Sequence, residues 1–317
     1  MKTLSNLQDK HPQPTAYTHM RPDDNQHKPL QVTEAHILQA IRSFPAGSSG
    51  GPDGLRPPHI LELATCNEIG TDLVSSITAF TNLLHGGKCH DEVAPIIFSG
   101  SLIALTKKSG GIRLIAIGYA WRRLAAKCAN TYAVAELADY FGPIQLRVGV
   151  PGGCKAAVHA TRRFAEHMPD DQVIVKLDFI NAFNSLHRDA MLEAISVRVS
   201  DIYKYCHLAY NQPSILKFFE HRIMSAEGPQ QGDPLGGLLF CNTIHSLLRH
   251  MNSNLVEGYM DEITLGGKSN IVTEDVATIR TLGSTLGLHL NAKKCELIQR
   301  CPTSTESAYR DFLITSK

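Results

Sequence analysis

Three acidic residues stand where a carboxylate is costly to keep. Asp178 closes the apolar run QVIVKLDF. Asp261 and Glu262 sit at the tip of LVEGYMDEITLGG, two short apolar runs that read as a tight hairpin. A carboxylate at the end of a buried strand is expensive unless it is paired or meets a cation. If the two elements lie side by side, three carboxylates come together. Like charges that close repel and raise one another's pKa unless a metal neutralises them. Hard Mg²⁺ prefers carboxylates together with substrate phosphates. Two such ions about 3.5–4 Å apart can activate one oxygen and stabilise a leaving one, which is what nucleotidyl transfer requires. Taken singly, each signal has a plainer reading, because an Asp after a strand is also a common turn former or cap.

The surrounding elements must place these groups. QVIVKLDF is a strand by its β-branched content. SLIALT and IRLIAI form a hairpin about a basic, glycine-containing turn, and SILKFF and HRIMSA form another. Helices are expected over EAHILQAIRSF after Thr33, over HILELA, and over 71–85 ended by Gly86-Gly87. Further helices are expected over about 121–140, 155–167, 188–199, 201–211 and 234–250, and after a cap at Thr273. Residues 1–30 carry Pro12, Pro14, Pro22 and Pro29 and read as an unstructured arm. Strands and helices mix without regular alternation, so the class is α+β rather than a doubly wound sheet.

The chain has 317 residues, of which 43% are hydrophobic. That excludes wholesale disorder and allows one large domain or two ordinary ones. The longest apolar stretch, Val93 to Leu105, is too short for a membrane span and contains Pro95. The N-terminus has no secretion-signal pattern. The expectation is an intracellular protein, nuclear or cytoplasmic, neither secreted nor membrane-spanning. Eight cysteines contain no C-x-x-C pair, so buried free thiols are expected rather than a zinc site. The net charge of +1 argues at face value against nucleic acid as a partner. Its distribution argues the other way. Between Ser101 and Arg163 ten basic residues face only Glu136 and Asp139, a local excess of +8.

The blocks VKLDFINAFNS, GPQQGDPLGGLLF, GYMDEITLGG and LGLHLNAKKCEL follow one another in that order, with GPDGLRPPHILEL and SLIALTKKSGGIRLIAIG upstream. This ordered set resembles the reverse transcriptase domain of non-LTR (LINE-like) retroelements over most of the chain. The resemblance implies a right-hand polymerase fold, with residues 31–170 mainly fingers and 171–300 mainly palm. It implies RNA-templated addition of deoxynucleotides to a DNA primer 3′-OH, with two Mg²⁺ ions (Mn²⁺ as a substitute). Matched by position, Asp178 and Asp261 are the metal-binding aspartates, and Glu262 stands beside them. Phe183 is the aromatic gate against a ribose 2′-OH. Gln231 and Gly232 face template and incoming nucleotide. Lys107 and Arg113 hold the triphosphate, and Lys294 is a proton donor to the leaving pyrophosphate.

The chain also departs from that pattern. Glu262 replaces the second Asp of Tyr-x-Asp-Asp and carries its carboxylate about 1.5 Å further out. Gly237 and Leu114 stand where the family usually has Pro. The tail, 301–317, has no strong periodicity, so no thumb is expected after the palm. These departures motivate a second expectation, a catalytically impaired remnant that only binds nucleic acid. A third, an unrelated metal-dependent phosphodiesterase, would need His/Asp clusters at short spacing, which the sequence does not contain.

Overall fold

The computed structural model describes residues 2–13, 27–107, 110–301 and 306–316. Contacts divide the chain into two compact units, 1–136 with 187–239, and 137–186 with 240–317. Nine strands occur among the described residues: β1 (Gly100–Thr106), β2 (Ile112–Gly118), β3 (Gln172–Leu177), β4 (Ser214–Phe218), β5 (His221–Ser225), β6 (Leu255–Tyr259), β7 (Glu262–Lys268), β8 (Glu296–Gln299) and β9 (Leu313–Ser316). With the helices they make an α+β chain.

The first unit holds a four-stranded sheet in the order β2-β1-β4-β5. The two expected hairpins form it, β1 with β2 and β4 with β5. They join through a short parallel contact, Gly100 to Leu216 and Ser101 to Lys217. Side-chain alternation buries Leu102, Leu114, Ala116, Leu216 and Ile223 on one face. Where an unstructured arm is expected, Lys2–Asp9 is a helix. Its Leu7 is fully buried on that face and Leu4 packs beside it. Those two leucines, one helical turn apart, give the helix an apolar stripe too short to stand out among prolines. Residues 14–26 of the expected arm lie outside the described residues. Beside the sheet, helices Glu34–Arg42, Gly70–His85 and Ala120–Glu136 pack on one another. Ala125, Ala126, Ala129 and Ala133 are fully buried, and their small side chains let the helices approach closely.

The second unit is built on the five-stranded sheet β6-β7-β3-β8-β9. β3 is its middle strand, antiparallel to β7 and β8. Val173, Ile174, Val175 and Leu177 are all buried, the near-continuous pattern of a strand covered on both faces. Helix Ser269–Thr285 packs on β3 and β7 and buries Val272, Val276 and Ile279. Helix Gly153–His167 packs against β6.

Two details differ from the expectation. Thr273 is not a cap: the helix begins four residues earlier, and the Thr273 hydroxyl donates to the Ser269 carbonyl at 2.7 Å while pairing with the Tyr309 hydroxyl at 2.8 Å. The unpatterned tail supplies buried Tyr309 and Phe312, and then β9, parallel to β8. A four-residue edge strand is too short to show periodicity.

Candidate active site

β3 and β7 pair with Leu177 opposite Ile263 and Lys176 opposite Thr264. One step further along the ladder sets Asp178 beside Glu262. Alternation then puts Lys176, Asp178, Glu262 and Thr264 on one face, and Leu177 and Ile263 in the core beneath. Tyr259 pairs with Glu262, so Met260-Asp261 is the two-residue loop of the β6–β7 hairpin. Met260 is left-handed (φ 60°). The three carboxylates named from the sequence therefore meet at one end of the sheet.

Their electrostatics follow. Burial raises the Asp261 pKa above its ordinary value, the Asp178 and Glu262 charges raise it further, and Lys294 opposes them. Lys294 lies 3.5 Å from an Asp178 oxygen. Lys176, which sequence reasoning passed over, lies 3.6 Å from Glu262, and both side chains are about half exposed. Glu262 thus turns its longer side chain along the sheet face towards β3. Among the described residues no three His, Cys, Asp or Glu side chains gather into a ready metal site. Two carboxylates under mutual repulsion fit a hard cation that completes its shell with phosphate oxygens and water, as Mg²⁺ prefers.

The backbone around Asp178 is held from the chain segment before β8. Its carbonyl accepts from the Asn291 N–H at 2.8 Å, and the Ile180 N–H donates to the His289 carbonyl at 2.8 Å. Buried Cys295 places its sulfur 3.5 Å from the Asp178 N–H. On the other side of the site, segment 144–146 runs beside β6. The Gly258 N–H donates to the Ile144 carbonyl at 2.9 Å and the Leu146 N–H to the Gly258 carbonyl at 2.8 Å. Phe183 follows Asp178 on the short helix Ala182–Ser185 and stacks flat on Phe240, ring centres 5.0 Å apart. A groove of about 460 Å³ opens between helix Gly153–His167 and the sheet face, lined by Val158, Thr161, Lys176, Glu257, Tyr259 and Glu262.

The other candidate residues lie in the first unit. Lys107 closes the β1–β2 turn, its N–H donating to the Gly111 carbonyl at 3.0 Å. Arg113 is exposed opposite Leu105, which puts it on the same ribbon face as Lys107. Lys217 and Arg222, paired across β4–β5, are exposed on that same sheet face. Gln231 and Gly232 cap the free edge of β2: the Ala116 N–H donates to the Gln231 carbonyl at 2.6 Å. Gly232 has φ 124°, and a Cβ there would lie 2.2 Å from the Ala116 carbonyl oxygen, so only glycine fits.

Behind this loop is a buried network the sequence did not reveal. Arg122, 2% exposed, donates to Asp233 at 2.8 Å, to Gln230 at 2.6 Å and to the Phe98 carbonyl at 2.9 Å. The Tyr210 hydroxyl donates to the same Asp233 oxygen at 2.5 Å. Burial works against the Arg122 charge, but Asp233 beside it prevails and holds the guanidinium protonated. One of the ten cations of the basic segment is thus internal, spent on fixing residues 230–233.

Residues 105–309 match the family model described as reverse transcriptase (RNA-dependent DNA polymerase). The chain belongs to that family, and the expectation of a retroelement reverse transcriptase domain is borne out. The 132 kDa protein of the retrotransposable element SLACS, from Trypanosoma brucei gambiense, is 26% identical over 286 residues, which is 85% of this chain. The chain spans 23% of that protein's length. Among solved structures, apo telomerase from Candida tropicalis aligns over 64% of this chain and 44% of its own, at 11% identity and a TM-score of 0.49. Among the described residues no helix is long and apolar enough to cross a membrane.

Proposed function

We propose that this chain is the fingers and palm of a right-hand polymerase from a non-LTR, LINE-like element, adding deoxynucleotides to a primer 3′-OH on an RNA template. The observation that carries the reading is the β3–β7 register, which brings Asp178 to Glu262 and Asp261 within a chain of the reverse transcriptase family. Residues 31–170 are read as mainly fingers and 171–300 as mainly palm, the latter containing β3, β6, β7 and β8.

Asp178 and Asp261 would hold two Mg²⁺ ions, or Mn²⁺, which when bound supply Lewis-acid stabilisation of the attacking and leaving oxygens. Lys294, 3.5 Å from an Asp178 oxygen, would donate a proton to the leaving pyrophosphate. The Phe183 ring, stacked on Phe240, would be the bulk that blocks a 2′-OH. Lys107 and Arg113 offer a point charge and a bidentate fork to the triphosphate. Gln231 and Gly232, fixed by the Arg122 network, face template and nucleotide. Lys217 and Arg222 extend the basic sheet face, so affinity for template should fall steeply with salt.

A second reading, a remnant that binds nucleic acid without polymerising, is favoured by the Lys176–Glu262 pair, which draws one carboxylate aside. Glu262→Asp separates the readings. A shorter side chain loses Lys176 and returns the carboxylate towards Asp178. The expected result is a several-fold faster primer extension in Mg²⁺, since a displacement of about 1 Å is costly at such sites. An unchanged rate would clear Glu262 as the source of any deficit. Primer extension on RNA with dNTPs or rNTPs tests the function itself: dNTP incorporation supports polymerisation, and template binding without incorporation supports the remnant.

A further inference from the structure

We propose that Gln145 is a positioning residue for Asp261. The inference rests on the reading of Asp261 as a metal ligand, and it concerns what holds that ligand in place. Asp261 follows Met260, which must adopt a left-handed conformation that non-glycine residues seldom take. Something beneath the loop must hold it there.

Gln145 is fully buried directly under the hairpin. Its side-chain oxygen accepts from the Met260 N–H at 3.4 Å and also from the Arg147 N–H at 3.4 Å. Its backbone forms a parallel bridge with Gly258, two residues before Met260. Gly258 leaves no room for anything else: a Cβ there would lie 2.7 Å from the Leu248 side chain and 3.1 Å from the Gln145 amide nitrogen. On the other flank the Cys241 thiol meets the Met260 sulfur at 3.7 Å. The loop is thus gripped through its backbone at Gly258 and Met260, and the grip at Met260 is a side-chain amide.

The second end of that amide gives the clue. The Gln145 Nε2 is buried and finds no hydrogen-bond partner among the described residues. A buried orphan donor is destabilising, and a methionine of similar size would avoid it. Rotating the amide by half a turn would not help, because two backbone N–H groups would then face the NH₂. The oxygen is what the position requires, and its task is the Met260 N–H. Through that bond Gln145 fixes the left-handed turn, and through the turn it aims Asp261 at Asp178.

The test compares wild type with Gln145→Met in hydrogen exchange and Mn²⁺ titration of the full chain without nucleic acid. Exchange at the Met260 amide should quicken about tenfold, the loss of one hydrogen bond. The melting temperature should fall modestly, because the Met260 and Arg147 N–H groups lose their acceptor, and exchange in helix Ser269–Thr285 should change far less than at Met260. Half-saturating Mn²⁺ should rise about tenfold or more, as when a supporting partner of a metal ligand is lost. Equal exchange at Met260 and equal Mn²⁺ affinity in the two proteins would overturn the proposal. Should Gln145→Met not fold, the wild type alone decides. A Met260 amide exchanging as freely as an open-turn amide overturns the proposal, and a protected one supports it. Faster exchange in the variant beside a wild type that binds no Mn²⁺ would support the brace while sinking the metal reading of Asp261.

Discussion

Asp261→Asn is expected to make the metal-free protein more stable while removing the proposed polymerase activity. The Asp261 pKa is raised by burial, and further by Asp178 and Glu262. A carboxyl whose folded pKa lies above its unfolded value favours folding when protonated. That contribution is complete below the ordinary value of 3.8 and is lost as pH rises through the elevated one. At neutral pH the ionised group therefore opposes the apo fold. Asparagine keeps the shape without the charge. The variant's melting temperature should exceed that of wild type near pH 7, and the gap should close towards pH 3. Mg²⁺ should reverse the order, because only wild type gains from binding it. Primer extension should fall at least about 10³-fold, since a bound metal supplies several kcal/mol to the transition state. Melting curves with and without Mg²⁺ across that pH range check the stability half. A variant less stable than wild type at every pH would contradict it.

Arg122→Met is expected to be the most damaging single change away from the carboxylates. Arg122 and Asp233 are 2% and 1% exposed, and each satisfies the other. Removing one member of a buried pair leaves an uncompensated charge and typically costs about 3–5 kcal/mol. In a chain of this size that lowers the melting temperature by on the order of 10 °C. Gln230 loses its Arg122 donor and Asp233 keeps only Tyr210, so the loop at Gln231 and Gly232 loosens too. The activity that survives should show a raised KM for dNTP rather than a changed metal requirement. The double variant Arg122→Met/Asp233→Leu should recover part of the stability, because an apolar pair leaves no charge stranded. It should not recover the KM. A double variant no more stable than the single one would mean the pair is not the source of the loss.

The parts of this site readable from sequence are those fixed by local pattern. β-branched runs bounded by glycine and charge marked β1, β2, β3, β6 and β7. A strand ending in Asp and a hairpin ending in Asp-Glu can share a sheet end in few ways, so the meeting of Asp178 with Asp261 was legible before any register was known. Long-range partners were not. Arg122 sits in a segment dense with cations and reads as solvated, because nothing near it in sequence announces Asp233. Lys176 reads as the polar member of a strand, and its partner depends on the β3–β7 register. Gln145 lies in a Pro/Gly-rich connection with no periodicity, and its role exists only because β6 passes over it. The same holds for Tyr309, whose hydroxyl meets Thr273 across 36 residues of chain.

In the proposed function, Asp178 and Asp261 carry metal-dependent, RNA-templated DNA synthesis. The most direct test is primer extension on an RNA template with dNTPs, comparing wild type with Asp178→Ala, with binding to the same primer–template measured in parallel. The expected result is Mg²⁺- or Mn²⁺-dependent extension by wild type, loss of at least about 10³-fold in the variant, and near-equal binding by both. Extension that persists in Asp178→Ala, or wild-type binding with no extension in either metal, would contradict it.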